Sequence, residues 1–229
     1  MLSYLNYLSR EKVLPFVSAY ILALITSMTI HEYMHARVAY SFGDDTAKLS
    51  GRLTLNPLAH ISPLGLLSFL VIGYGWANPV PVNILKFKNK RFRLGMLLVS
   101  VAGVLANIVM AFVITGLYVL AFAKTNIAYG IVENNMLALF IYYFFVVSMS
   151  MNISLFFFNL LPIPPLDGFN FLNSVIPGDC KFLKTCRQYG FSILIGFLII
   201  MEIFDFNILG TLVSFVEQAF LKFWSLIFA

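Results

Sequence analysis

Charged side chains are scarce in this sequence: 11% of its 229 residues, against 60% hydrophobic residues and a mean hydropathy of +0.89. A water-soluble domain of this length cannot bury so much apolar side chain, so the composition indicates an integral membrane protein in contact with a lipid bilayer. Its apolar runs are too long for the strands of a barrel. The expected fold class is therefore all-α polytopic, with about five to six transmembrane helices. Cysteine is nearly absent. Cys180 and Cys186 match no zinc-ligand spacing, and they lie in a basic segment expected in the cytoplasm, so reduced thiols are expected rather than a disulfide. No basic groove with interleaved aromatics is present, which argues against a nucleic-acid partner. The net charge of +5 is explained by membrane topology. No internal repeat or low-complexity tract is visible, and no cleavable leader is expected, because removing the first apolar run would remove the chemistry it carries.

The charge-free stretches predict the spans. Residues 13–40 form the first, ended by Ser41, Phe42, Gly43, Asp44 and Asp45. Residues 94–123 form the second and residues 136–161 the third. Two shorter apolar segments, about 189–204 and 207–226, follow, with a hairpin tip between Glu202 and Asn207. A single domain is expected over residues 1–229, with a core at 13–169 and accessory helices at 189–226. Residues 46–93 break the pattern. Residues 51–57 alternate apolar and polar and predict an edge strand or hairpin. Residues 63–75 are apolar but fall short of the ~20 needed to span, which favours a re-entrant or interfacial segment. A shaped loop with Trp76, Asn78, Pro79 and Pro81 comes next. Lys86, Lys88, Lys90, Arg91 and Arg93 then mark this side as cytoplasmic, as do Lys181, Lys184 and Arg187 in the loop expected after Pro177. Residues 124–135 predict a short outer loop, and residues 169–176 an interfacial helix.

Histidine is also scarce, with three in the chain, and two of them close the first span as His31-Glu32-Tyr33-Met34-His35. Imidazoles at i and i+4 share one helix face, where both can bind one Zn²⁺ while the carboxylate between them acts as base. A catalytic zinc needs a third protein ligand. Asp167 is the candidate: no charged residue lies between Glu133 and Asp167, and it sits in a break made by Pro162, Pro164 and Pro165. A carboxylate at that depth needs a partner, and a divalent cation is one. For both ligand sets to meet, the first and third spans must run in the same direction, with the second reversed. The basic segments then all fall inside, and the zinc lies nearer the cytoplasmic face. On the second span, Ala102, Gly103 and Ala106 form a small-residue stripe. Asn107 lies on it, facing a partner or a cavity.

The pattern resembles the site-2 protease family of intramembrane zinc metalloproteases, in its compact form without a PDZ domain. The resemblance rests on H-E-Y-M-H-A, then G-R-L-T-L-N-P-L-A-H-I, G-W-A-N-P-V-P-V-N, and N-L-L-P-I-P-P-L-D-G. It implies that His31, His35 and Asp167 bind one Zn²⁺ per chain and that Glu32 activates water. It also implies that Asn159 and the proline-rich turn hold substrate or the oxyanion, and that Trp76, Asn78, Pro79 and Pro81 present an extended substrate strand. Asn107 matches an asparagine of the family's middle core helix and joins the substrate-binding set. Two positions depart from the family pattern: Val104 stands where proline usually follows A-G, and Ser62 where aspartate often follows H-I. His60 is left outside the zinc set.

The expected function is a zinc endopeptidase that cuts a transmembrane segment of another protein within or near the bilayer of the cell membrane. The alternative is a catalytically inert zinc protein that binds partner helices, against which Glu32 argues, since a structural site needs no base. A metal transporter would need ionisable residues along a path, and the second and third spans carry none. The sequence leaves the oligomeric state and the identity of the substrate open.

Overall fold

The computed structural model describes residues 8–72, 75–88, 91–123, 135–176, 180–204 and 207–228. The first charge-free run forms α1 (Arg10–Ser41). It stops at Gly43, whose φ of +99° admits the closing hydrogen bonds from the Gly43 amide to Tyr40 O and from the Asp44 amide to Ala39 O. That pairing satisfies carbonyls which a helix end would leave bare, and the left-handed φ is why glycine stands there. After α2 (Thr46–Leu49) comes α3 (Pro63–Ile72), then α4 (Phe92–Tyr118) with a π-helical extension over Val119–Ala123. α5 (Met136–Asn159) starts on Asn135, whose side chain accepts from the Leu137 and Ala138 amides. α6 (Asp167–Val175), α7 (Lys181–Ile203) and α8 (Ile208–Phe228) complete the chain.

Among the described residues, five helices are long and apolar enough to cross a membrane: α1, α4, α5, α7 and α8. α1, α4 and α5 pack against one another as the core, α6 lies against α4, and α8 lies against α5 and α4. α7 reaches the rest through Leu183 and Cys186, which pack on Phe169 of α6.

The strand or hairpin expected over residues 51–57 does not form. Local hydrogen bonds win there: the Arg52 amide bonds Ala47 O, the Asn56 amide bonds Thr54 Oγ1, and Asn56 caps a 3₁₀ turn over Pro57–Ala59. Alternation in sequence was matched by turn chemistry, not by a partner strand. A single antiparallel bridge, Ile61 with Ala77, is the β pairing present among the described residues. It joins the residues that flank α3, whose ten residues are too few to span. Ser62, in place of the family's aspartate, accepts from the Gly65 amide at 3.2 Å, the same cap an aspartate would supply. Lys181, Lys184 and Arg187 are not in a loop but in the first turns of α7, with Cys180 just before it and Cys186 buried inside it, both unbridged. The leader through residue 7, most of the expected outer loop (124–134), Lys90, and residues 205–206 of the expected hairpin tip lie outside the described residues.

Candidate metal centre

The i, i+4 spacing on α1 sets the two imidazoles edge to face, with ring centroids 4.6 Å apart. Their Nε2 atoms are 3.0 Å apart, and each is 3.1 Å from Asp167 Oδ2 at the start of α6. The backs of the rings decide what the fronts can do. His31 Nδ1 donates to Asn107 Oδ1 at 2.6 Å, and His35 Nδ1 donates to Val99 O at 2.7 Å. Both partners are acceptors, so each neutral ring carries its proton on Nδ1 and turns the Nε2 lone pair inward. A carboxylate oxygen and two imidazole lone pairs converging on one point call for a cation. The edges of the triangle compare with about 3.3 Å for tetrahedral bonds of roughly 2.0–2.1 Å, so the residues fit a zinc ion.

Close packing by α4 makes room for this. A Cβ on Gly103 would lie 2.5 Å from His35 Nε2 and 2.8 Å from His31 Nδ1, so only glycine lets the helix lie against both rings. Beyond Asn107 the hydrogen bonds continue. Its Nδ2 donates to Asn152 Oδ1 at 2.8 Å and to Ser27 O at 3.4 Å. Asn152 in turn donates at 2.8 Å to both Ser27 Oγ and Ser148 O. Asn107 is 0% exposed and Asn152 1%. Both amides are thus paired where lipid and apolar side chains offer no alternative.

Glu32 Oε2 accepts the Val80 amide at 3.1 Å, which lays the 77–83 segment over the base. That segment is held at both ends. The Asn78 amide bonds His60 O at 2.8 Å and its side chain bonds Ile61 O at 2.9 Å, while the Asn83 amide bonds the buried Asp44 Oδ2 at 2.6 Å. Pro79 and Pro81 flank Val80, and with no amide hydrogens of their own they leave its N–H as the donor beside Glu32. Trp76 is exposed. Asn159, the last residue of α5, donates to Leu155 O of its own helix at 3.1 Å.

The structure therefore brings His31, His35 and Asp167 together, with Asn107 bonded to His31 Nδ1 behind them. Sequence reading passed over Asn152, Ser27 and the Val99 carbonyl. An asparagine inside a charge-free span was the available signal for Asn152, and Ser27 stands one turn before His31. A backbone carbonyl leaves no signal at all.

The profile of peptidase family M50 matches residues 19–201. The chain belongs to that family. It is 41% identical over 212 residues to YwhC of Bacillus subtilis, which carries the name zinc metalloprotease, covering 91% of each chain. It is 28% identical over 246 residues to Rip2 of Mycolicibacterium smegmatis, likewise named a zinc metalloprotease, covering 96% of this chain and 88% of that one. No solved structure matches the chain. As a member of M50 it is a membrane-embedded zinc metalloprotease whose substrates are membrane proteins, and His31, His35 and Asp167 lie close enough together to bind the ion.

Proposed function

We propose that His31, His35 and Asp167 hold the zinc, that Glu32 is the general base, and that the enzyme cuts a transmembrane segment of another protein from a site nearer the cytoplasmic face of the cell membrane. The observation that carries this reading is the triangle of ligand atoms with both imidazole Nδ1 atoms tied back. The position on the membrane is supported by the basic residues Lys86, Lys88, Arg91 and Arg93, which lie at the His35 end of the core helices. When bound, zinc supplies Lewis-acid chemistry, polarising the scissile carbonyl and lowering the pKa of a water ligand to about 7.

The residues of this chain do the rest. Glu32 receives the proton the attacking water gives up and delivers it to the departing amine nitrogen. Asn107 and the Val99 carbonyl hold the two imidazoles in the tautomer and orientation a ligand needs. Asn107 therefore serves the ligands rather than the substrate, and Asn152 and Ser27 hold Asn107. The extended 77–83 segment, pinned at Asn78 and Asn83, offers an edge against which an unwound substrate strand can lie, with Trp76, Pro79 and Pro81 shaping it. Asn159 closes α5 at the entrance to the turn that carries Asp167.

Glu32→Gln tests the reading. The purified variant keeps about one zinc per chain and loses cleavage of single-span substrates by roughly 10³-fold or more. Loss of zinc from wild type's ligand set on Asp167→Ala, with cleavage lost in parallel, completes the assignment. Equal cleavage by wild type and Glu32→Gln would remove Glu32 from the chemistry.

A further inference from the structure

His60 has no part in the metal centre, yet it is 1% exposed. Its Nε2 donates to Thr54 O at 2.8 Å, which in the neutral ring leaves Nδ1 a bare acceptor. That nitrogen is buried without a hydrogen-bond partner, and so is Oγ1 of Thr29 on α1, itself 5% exposed. Buried polar atoms are nearly always paired, so two orphans at one place call for an occupant. Both residues line one small, partly open cavity of about 10 Å³, walled by Met28, Ser62, Gly65 and Trp76. That is room for a single oxygen-sized group. Two of the walls meet backbone to backbone, since a Cβ on Gly65 would overlap Trp76 O and a Cβ on Gly75 would overlap Gly65 O. Ile25 also lines the cavity, and Ile25, Met28, Thr29 and Glu32 stand at i, i+3, i+4 and i+7. The cavity thus lies on the face of α1 that carries Glu32, about one turn away.

We propose that this cavity is a substrate subsite that takes the hydroxyl of a serine side chain close to the scissile bond; the inference rests on the protease reading above. A hydroxyl donates to His60 Nδ1 and accepts from the Thr29 hydroxyl through one heavy atom. Alanine leaves both protein atoms unpaired, and a larger side chain does not fit. A water molecule offers the same two bonds, so the experiment must separate a substrate group from a structural water.

The probe is a synthetic single-span peptide, apolar except for one serine moved stepwise along the span, compared at each step with its alanine counterpart. Binding is read with zinc-loaded Glu32→Gln protein in detergent, which binds without cutting. At one register serine binds about tenfold more tightly than alanine. Adding Thr29→Val, which keeps the shape and removes the hydroxyl, brings that ratio to about one. Thr29→Ser keeps the ratio, and Thr29→Ala is a second variant with the expectation of Thr29→Val. A ratio of one at every register, or a ratio indifferent to Thr29→Val, overturns the subsite and assigns the cavity to a structural water. Wild-type protein is tested for cleavage of the same peptides. A Thr29-dependent ratio without cleavage counts against the protease reading and leaves the subsite standing; cleavage with a flat ratio does the reverse.

Discussion

The α1–α4–α5 core and the C-terminal pair α7 and α8 are all membrane-length helices, but they are held by different means. Inside the core a chain of directional bonds runs from His31 through Asn107 and Asn152 to Ser27 and Ser148. In the pair, the buried side chains are chiefly apolar or small: Leu183, Cys186, Gly190, Leu194 and Val213. Phe191, Ile199, Ile203 and Phe215 turn outward, as residues facing lipid do. α8 makes polar contact with the core at Glu217 with Ser150, and at Trp224 Nε1 with Phe112 O at 2.9 Å. The difference teaches that a connected chain of polar groups stands where orientation matters to a metal, whereas the periphery relies chiefly on shape, with two separate polar contacts from α8. Damage to metal binding and damage to stability should therefore separate along the chain.

Outside the ligands themselves, the largest effect on metal affinity is expected at Gly103. In an exposed helix, glycine to alanine gains about 1 kcal/mol. Here the new methyl meets imidazoles pinned from behind by Asn107 and Val99. Gly103→Ala should lose zinc by about 100-fold or more, with an overpacking cost to the metal-free protein of about 1–3 kcal/mol; zinc titration beside thermal unfolding reads both. Asn152→Leu should come next. It leaves Asn107 Nδ2 with a long bond to Ser27 O, loosens the amide behind His31, and lowers zinc affinity about 10-fold to 100-fold. An unchanged zinc affinity there would confine the network to structure. Trp224→Ala should spare the metal. Its ring fills the space over Gly116, where a Cβ would come within 2.7 Å, so its loss should lower stability by roughly 2–4 kcal/mol and leave zinc affinity alone.

Much of the centre was legible because its chemistry uses rare residues at fixed spacing. Three histidines in the chain make an i, i+4 pair conspicuous, and an aspartate ending a charge-free run marks itself. Span positions were legible for the same reason, since lipid forbids charge. What failed to read was set by neighbours far away in sequence. Residues 51–57 alternate like a strand, but among the described residues no second strand pairs with them. Lys181, Lys184 and Arg187 read as loop because they are charged, although a helix can carry charge in the turns that precede its apolar stretch. Asn107 is visible as a polar residue in a span, but whether it faces substrate or a ligand depends on the rotation of α4 against α1.

Asp44 and Asp45 bring the same contrast down to adjacent residues, and give the smallest expected effects. Asp44 is fully buried and accepts from the Thr46 amide, the Thr46 hydroxyl and the Asn83 amide. Asn83 is the far anchor of the segment lying over Glu32. Asp44→Asn turns an amide hydrogen toward donors, frees that anchor, and should reduce cleavage several-fold with zinc content unchanged. Asp45 instead sits at the surface with Lys86 Nζ at 2.5 Å. The Lys86 hydrogen bond holds its carboxyl below the usual carboxylate value. A depressed folded-state pKa contributes stability above the unfolded value, near 3.9, and loses it as pH falls through the folded value. Asp45→Asn should therefore match wild type in salt, where an exposed pair is screened. At low ionic strength any deficit should be confined to pH above about 4 and vanish in more acidic solution. A deficit that persists below pH 3 would mean that Asp45, like its neighbour, holds the backbone rather than a surface charge.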